Sequence, residues 1–307
     1  MKLYAPSTIQ AIKERHNFQL SKSLGQNFIT DKSVIERIVE GSDVGEDDLV
    51  IEIGPGIGVL TAEAAESAAK VVAIEIDKKL IPILAETLAE YDNIRVINQD
   101  ILKTDINEII REEREAGSFT GGVKIMGNLP YYITTPIIMG ILEKGVEADS
   151  ITIMMQKEVA DRIKAAPGGK IYGAISVAVQ YYCEVEQVAS VPKEVFVPRP
   201  KVDSAVLKLS IRKERPVDLI DEKSFFACIK AGFGQRRKTL LNSLTGVNGL
   251  PKEDIKEILE AAGVDPARRA ETLDINEFAA IANGVAMRSR RSALTLPLVI
   301  PDFTVIV

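Results

Sequence analysis

The sequence has one histidine, His16, and two cysteines, Cys183 and Cys228, among 307 residues. A single histidine leaves no room for a Ser-His-Asp triad, an HExxH arrangement or any site built from several imidazoles. The cysteines stand 45 positions apart with no CxxC spacing. That excludes a cysteine-built zinc site and a disulfide framework, and leaves two reduced thiols as in a cytosolic protein. No metal is expected. No run reaches the roughly 18–20 apolar residues that cross a bilayer. Residues 1–17 are polar and charged and lack the apolar core of a secretory signal. A cytoplasmic monomer with no membrane association is expected.

The net charge is −6 at neutral pH, which by itself disfavours a polyanion partner. The average conceals an asymmetry. Residues 1–190 hold 19 Lys and Arg against 29 Asp and Glu, a balance of −10; residues 191–307 hold 19 against 15, a balance of +4. Contacts to nucleic acid are therefore expected to concentrate in the last third and around its junction with the rest.

Residues 49–156 alternate short apolar runs with helix-like stretches. Strands are expected at 49–53 (LVIEI), 71–76, 94–98, 123–127 and 151–156, and helices at 59–69, 78–90 and 134–143. Buried strands separated by helical segments predict a parallel sheet with helices on both faces. Such sheets bind ligands at the carboxyl ends of their strands. Further on, 172–183 predicts a helix, and 184–191 and 204–211 two strands. The segment between those strands carries Pro192, Pro198 and Pro200 and reads as an ordered loop. From residue 214 the pattern turns helical, at 222–233, 236–244, 251–262 and 276–282. The division expected is a domain of residues 1–213, a small all-helical domain of residues 214–284, and an atypical tail, 285–307.

The first strand runs into Glu52-Ile53-Gly54-Pro55-Gly56-Ile57-Gly58 and opens a helix. Glycines there let the backbone turn tightly and pass close to a ligand. Glu75 ends the second strand, 21 positions after Gly54, where a carboxylate can accept from both hydroxyls of a ribose. A dinucleotide fingerprint would want glycine at position 59, which is Val59; the third glycine comes early, at 58. That favours S-adenosylmethionine, a ligand without a pyrophosphate. Asp100 follows the third strand, placed to accept from an adenine amino group or to cap the turn QDILKTD.

Gly127-Asn128-Leu129-Pro130-Tyr131-Tyr132 follows the fourth strand. An adenine amino nitrogen is a poor nucleophile, because its lone pair is delocalised into the ring. Two hydrogen-bond acceptors beside the amino hydrogens localise that pair without a strong base. Asn128 offers a side-chain carbonyl, Leu129 and Pro130 backbone carbonyls, and Tyr131 a face on which an extruded base can stack. Phe196, in the proline-rich loop, either covers the other face of that base or anchors the loop in the core. Arg236, Arg237 and Lys238 sit at an expected helix start, where the dipole disfavours cations; phosphate contact is the reading that accounts for them. Lys22 is a further candidate for phosphate.

With these pieces in order, the chain resembles the KsgA-type ribosomal RNA adenine dimethyltransferases. The resemblance runs from about residue 15 to 284. It is carried by KSLGQNF at 22–28 within an N-terminal motif segment, 15–30, by EIGPGIG at 52–58, EID at 75–77, QDIL at 99–102 and NLPYYITTPI at 128–137, and by FVPRPKVDSAV at 196–206 and FGQRRKTL at 233–240. It implies an α/β fold, a Rossmann-like S-adenosylmethionine methyltransferase domain followed by a small all-helical C-terminal domain. It implies methylation of two adjacent adenosines in a hairpin near the 3′ end of 16S RNA in an assembling small ribosomal subunit. By the same resemblance Asn27, Ile29, Gly54, Gly56, Glu75, Asp100 and Asn128 would contact the cofactor. Asn128, Pro130, Tyr131 and Phe196 would hold the base. Position 29 is often Leu in the family, and a backbone contact there would survive the change. The last 23 residues match nothing in it. Alternatives are an Erm-like enzyme acting on 23S RNA, a DNA adenine methyltransferase, from whose pattern Leu129 departs, and a non-catalytic ribosome-assembly factor.

Overall fold

A computed structural model of the chain describes residues 2–21 and 24–295, with side chains to residue 290. Contacts divide it into two units, residues 1–164 with 182–213, and residues 165–181 with 214 onward.

The first unit is built on a sheet. After a short β1 (Phe28–Ile29) come β2 (Leu49–Ile53), β3 (Lys70–Glu75), β4 (Ile94–Asn98), β5 (Val123–Asn128), β6 (Ser150–Gln156), β7 (Cys183–Val191), β8 (Phe196–Val197) and β9 (Ser204–Ile211). Seven of them form one sheet in the order β4-β3-β2-β5-β6-β9-β7. Each of these seven lies within one residue of its expected place. The first five pair parallel, whereas β9 runs antiparallel to both β6 and β7. The sheet is thus mixed. The short proline-rich connection between β7 and β9 explains this, because neighbours joined without a crossover helix pair antiparallel.

All five residues of β2 are buried, as expected of a strand covered on both faces. Val50, Val71, Met126 and Met154 pack on one face with Val34, Ile35 and Ile38 of the helix Lys32–Gly41 and with Leu60 and Ala64 of the helix Val59–Ala65. Each such side chain contributes about 1.5–3 kcal/mol through removal from water. The helix Lys32–Gly41 starts where the Asp31 carboxylate accepts from the Ser33 amide at 2.9 Å. The helix Ile106–Glu115 starts likewise at Asp105, which accepts from Glu108 N–H at 3.2 Å. A second cluster joins Ile9 and Ile12 of the helix Pro6–Arg15 to Leu80, Ile83 and Leu84.

The second unit is helical. It comprises Ala174–Tyr182 up to Tyr181, then Glu222–Gly234, Leu240–Leu244, Lys252–Ala261 and Ile275–Thr295. The sequence reading assigned residues 165–181 to the first domain; here they cluster with the helices. Tyr172 meets Phe233 edge-on at 5.7 Å and Tyr181 meets Phe225 at 5.1 Å, and such ring contacts outweigh sequence adjacency. The expected helix at 276–282 runs on to Thr295. Val285 and Ala286 continue its buried stripe, and Arg288 pairs with Asp254 at 2.7 Å and with Glu257. Residues 285–295 of the segment read as a tail are therefore helical, and the rest lies outside the described residues. Both cysteines are buried. Among the described residues no helix is long and apolar enough to cross a membrane, and no cluster of His, Cys, Asp and Glu fits a metal ion.

Candidate active site

One cavity opens at the carboxyl ends of β2, β3, β4 and β5. The loop after β2 supplies Gly54 and Gly56, with φ of +71° and +61°, a region that favours glycine. A Cβ on Gly54 would meet nothing within 4 Å, so the backbone there is open to a ligand; one on Gly56 would come within 3.0 Å of the Phe28 ring. From β3 comes Glu75, 4% exposed, its carboxylate accepting from the Asp77 amide at 2.7 Å. After β4 comes Asp100, which lines the cavity and also caps the following turn through the Leu102 amide at 3.1 Å. The cap read from the sequence is thus present, and the same residue stands in the cavity wall.

Gly127 lets β5 lie against β2, since a Cβ would approach the Ile53 carbonyl to 2.6 Å. The next residue, Asn128, reaches the same cavity. Its amide nitrogen donates to the Asn27 carbonyl at 2.9 Å. That bond settles which way the amide faces and leaves Oδ1 as an acceptor with no hydrogen bond among the described residues. Asn27 and Ile29 line the cavity from the N-terminal arm, held there as Ile29 pairs with Phe196 across β1 and β8. Gln26 ties the arm down by donating to Asp77 at 3.0 Å.

The base-holding residues named from the sequence fare differently. Pro130 lines the cavity, but its carbonyl accepts from the Ile133 amide and the Thr134 hydroxyl, both at 3.1 Å. This capping of the next helix occupies both lone pairs. Among the described residues no turn or loop amide donates to the Leu129 carbonyl, which is the acceptor left over. Tyr131 is absent from the cavity wall; its hydroxyl lies 2.8 Å from the Ser204 Oγ. Burial raises the Tyr131 phenol above its ordinary range. Phe196 is 3% exposed and sits in the core cluster with Ile29 and Val206, so in this structure no face of its ring is open to a base. Pairing with β1 turns it inward and makes it the loop anchor.

Two polar cavity residues with no assigned part in the sequence reading stand out, Tyr132 and Glu52. Tyr132 is in the wall and exposed. Glu52, 1% exposed, has Oε2 buried with no hydrogen-bond partner among the described residues. Burial pushes the carboxyl groups of Glu52 and Glu75 up to about 7, and each has the other or Asp77 as a further like charge. An acid two residues before the first glycine of the loop was the available signal for Glu52. It went unused, because β2 reads as a buried strand without it.

The three basic residues of 236–238 lie in a turn ahead of the helix Leu240–Leu244, not at the start of a helix spanning 236–244. Arg236 donates to the carbonyls of Lys170 at 2.7 Å and Tyr172 at 3.1 Å. Arg237 and Lys238 are exposed. Lys22 lies outside the described residues.

A family model described as ribosomal RNA adenine dimethylase matches residues 17–286. Proteins named ribosomal RNA small subunit methyltransferase A are similar over nearly the whole chain. The one from Clostridioides difficile (strain 630) is 51% identical over 92% of this chain and 96% of its own length. That from Alkaliphilus metalliredigens (strain QYMF) is 53% identical over 94% and 99%. Among solved structures, a dimethyladenosine transferase from Plasmodium falciparum superposes with a TM-score of 0.69 at 25% identity, covering 82% of this chain and 95% of that one. The 23S rRNA methyltransferase ErmE gives 0.63 at 26%, covering 84% and 99%.

Proposed function

The chain belongs to the ribosomal RNA adenine dimethylase family, and on that footing we propose that it dimethylates two adjacent adenosines in a hairpin near the 3′ end of 16S RNA within an assembling small subunit. The activity is that of an S-adenosylmethionine-dependent ribosomal RNA adenine dimethyltransferase.

The cavity suits that cofactor: an open glycine loop, two carboxylates at successive strand ends and a buried, unpartnered carboxylate oxygen on Glu52 face a ligand that carries hydroxyls, an amino group and positive charge. Glu75 would accept from its ribose and Asp100 from its adenine, with the backbone of Gly54 and Gly56 alongside. When bound, S-adenosylmethionine supplies an electrophilic methyl group on a sulfonium centre.

The protein's part is to prepare the amine. Asn128 Oδ1 and the Leu129 carbonyl accept the two amino hydrogens of the adenine and localise its lone pair. Pro130 stiffens the turn that holds them. Tyr131, anchored on Ser204, fixes the frame at the end of β5. Orientation for in-line attack supplies most of the rate. The observation that carries this reading is the Asn128–Asn27 hydrogen bond, which engages the amide nitrogen and so leaves the amide oxygen to a base, in a cavity wall that also holds Glu75 and Asp100.

The test is incubation with labelled S-adenosylmethionine and unmethylated small ribosomal subunits, followed by nucleoside analysis and primer extension. Dimethyladenosine at two neighbouring positions of 16S RNA is expected. A block confined to 23S RNA would replace this reading by the Erm-like one.

A further inference from the structure

Two consecutive tyrosines end the catalytic turn, and the fold uses them in opposite ways. Tyr131 has its hydroxyl tied to Ser204 and is not in the cavity wall. Tyr132 is in the wall, yet 61% exposed, the most exposed large apolar side chain among the described residues. Its hydroxyl makes no hydrogen bond among the described residues. One edge of its ring rests near the N-terminal arm: a Cβ added to Gly25 would lie 3.7 Å from its Cε1 and 3.2 Å from Pro130 Cβ. Tyr132 is thus a broad ring at the cavity mouth, beside the residues that receive the target amine, and it contributes little to the core.

Drawing one adenosine out of its stack leaves the next nucleotide with an uncovered face. An aromatic ring at the mouth can cover it at small ordering cost, since tyrosine has only two side-chain torsions to fix. Base–aromatic stacking is tolerant of sequence and is worth about tenfold or more in binding. We propose that Tyr132 is the stacking platform for the nucleotide adjacent to the one being methylated. This rests on the proposed function: while one of the two adenosines occupies the cavity, its neighbour lies on Tyr132.

The test compares small subunits whose 16S RNA carries, next to the target adenosine, either adenosine or an abasic residue. For the wild-type chain kcat/KM is expected to fall about tenfold on the abasic subunits. Tyr132→Ala should lose about the same factor on intact subunits and nothing further on abasic ones; Tyr132→Phe, which keeps the flat ring, should behave as wild type. Melting curves check that both variants are folded. Wild-type turnover on intact subunits combined with an equal abasic penalty in Tyr132→Ala overturns the platform alone. No wild-type turnover on intact subunits overturns the proposed function, and the platform with it.

Discussion

The carboxyl ends of β2 to β5 and the turn at residues 236–238 are both places where the sequence concentrates chemistry, and the fold treats them differently. At the strand ends Gly54, Glu75, Asp100 and Asn128, spread over 75 residues, reach one cavity. In the turn, three consecutive cations are all exposed, yet Arg236 is tied to two backbone carbonyls of its own unit. A parallel ladder aligns strand ends by hydrogen-bond register, so position along the chain translates into position in space. A turn has no ladder, and each side chain goes where its own partners are.

The sharpest way to break this contrast is Asn128→Ala. Loss of one preorganised group at the reacting centre should lower methylation about 10²–10³-fold, with RNA binding in a filter assay nearly unchanged. Near-wild-type turnover would deny the strand-end site its central member. Next, Glu75→Ala should weaken S-adenosylmethionine binding by roughly 10–100-fold, the worth of hydrogen bonds to a charged group, as read by calorimetry. Unaltered affinity would remove Glu75 from the ribose site.

A third measurement uses the raised carboxyl groups. Glu52 and Glu75 titrate near 7 in the folded chain, against an ordinary value of 4.5. Between those values the folded state holds protons that the unfolded state has released. Stability should therefore fall as pH rises from about 4.5 to 7, then level off. Glu52→Gln should flatten this decline by roughly 1–3 kcal/mol in denaturant titrations across that window; an unchanged slope would show that another group titrates. The smallest effects divide the basic turn. Arg237→Ala with Lys238→Ala should reduce the slope of log affinity for RNA against log salt by up to about 2. Arg236→Ala should instead lower the melting stability by about 1 kcal/mol. If Arg236→Ala changes only the salt slope, the distinction between the carbonyl-bound Arg236 and its two neighbours fails.

How far the sequence could be read follows the same physics. The seven main strands were legible to within a residue, and β2, β3, β5 and β6 most directly, because buried parallel strands are short apolar runs with abrupt polar ends. The helix Ile275–Thr295 was cut short in the reading because the charged Arg288 and Arg290 obscured a stripe that Phe278, Ile281, Ala282 and Val285 continue. Phe196 was ambiguous, because an aromatic among prolines suits a loop anchor and a stacking ring alike; pairing of β8 with β1 decided for burial. Tyr131 was favoured over Tyr132 for stacking, and nothing in a run of two tyrosines tells which one Ser204 will hold.

By itself the amino-acid order determined a sheet followed by helices, the strand ends at which the chemistry gathers, and the residue types fit for a nucleoside-bearing methyl donor. These depend on local periodicity and on backbone pairing, which are written along the chain. Only the tertiary structure decided which way the Asn128 amide faces, that the Pro130 carbonyl is spent on capping, that Glu52 Oε2 is buried with no hydrogen-bond partner among the described residues, and that residues 165–181 join the helical unit. Each of those depends on one polar atom or one ring meeting another from a distant part of the chain, and periodicity carries no record of such meetings.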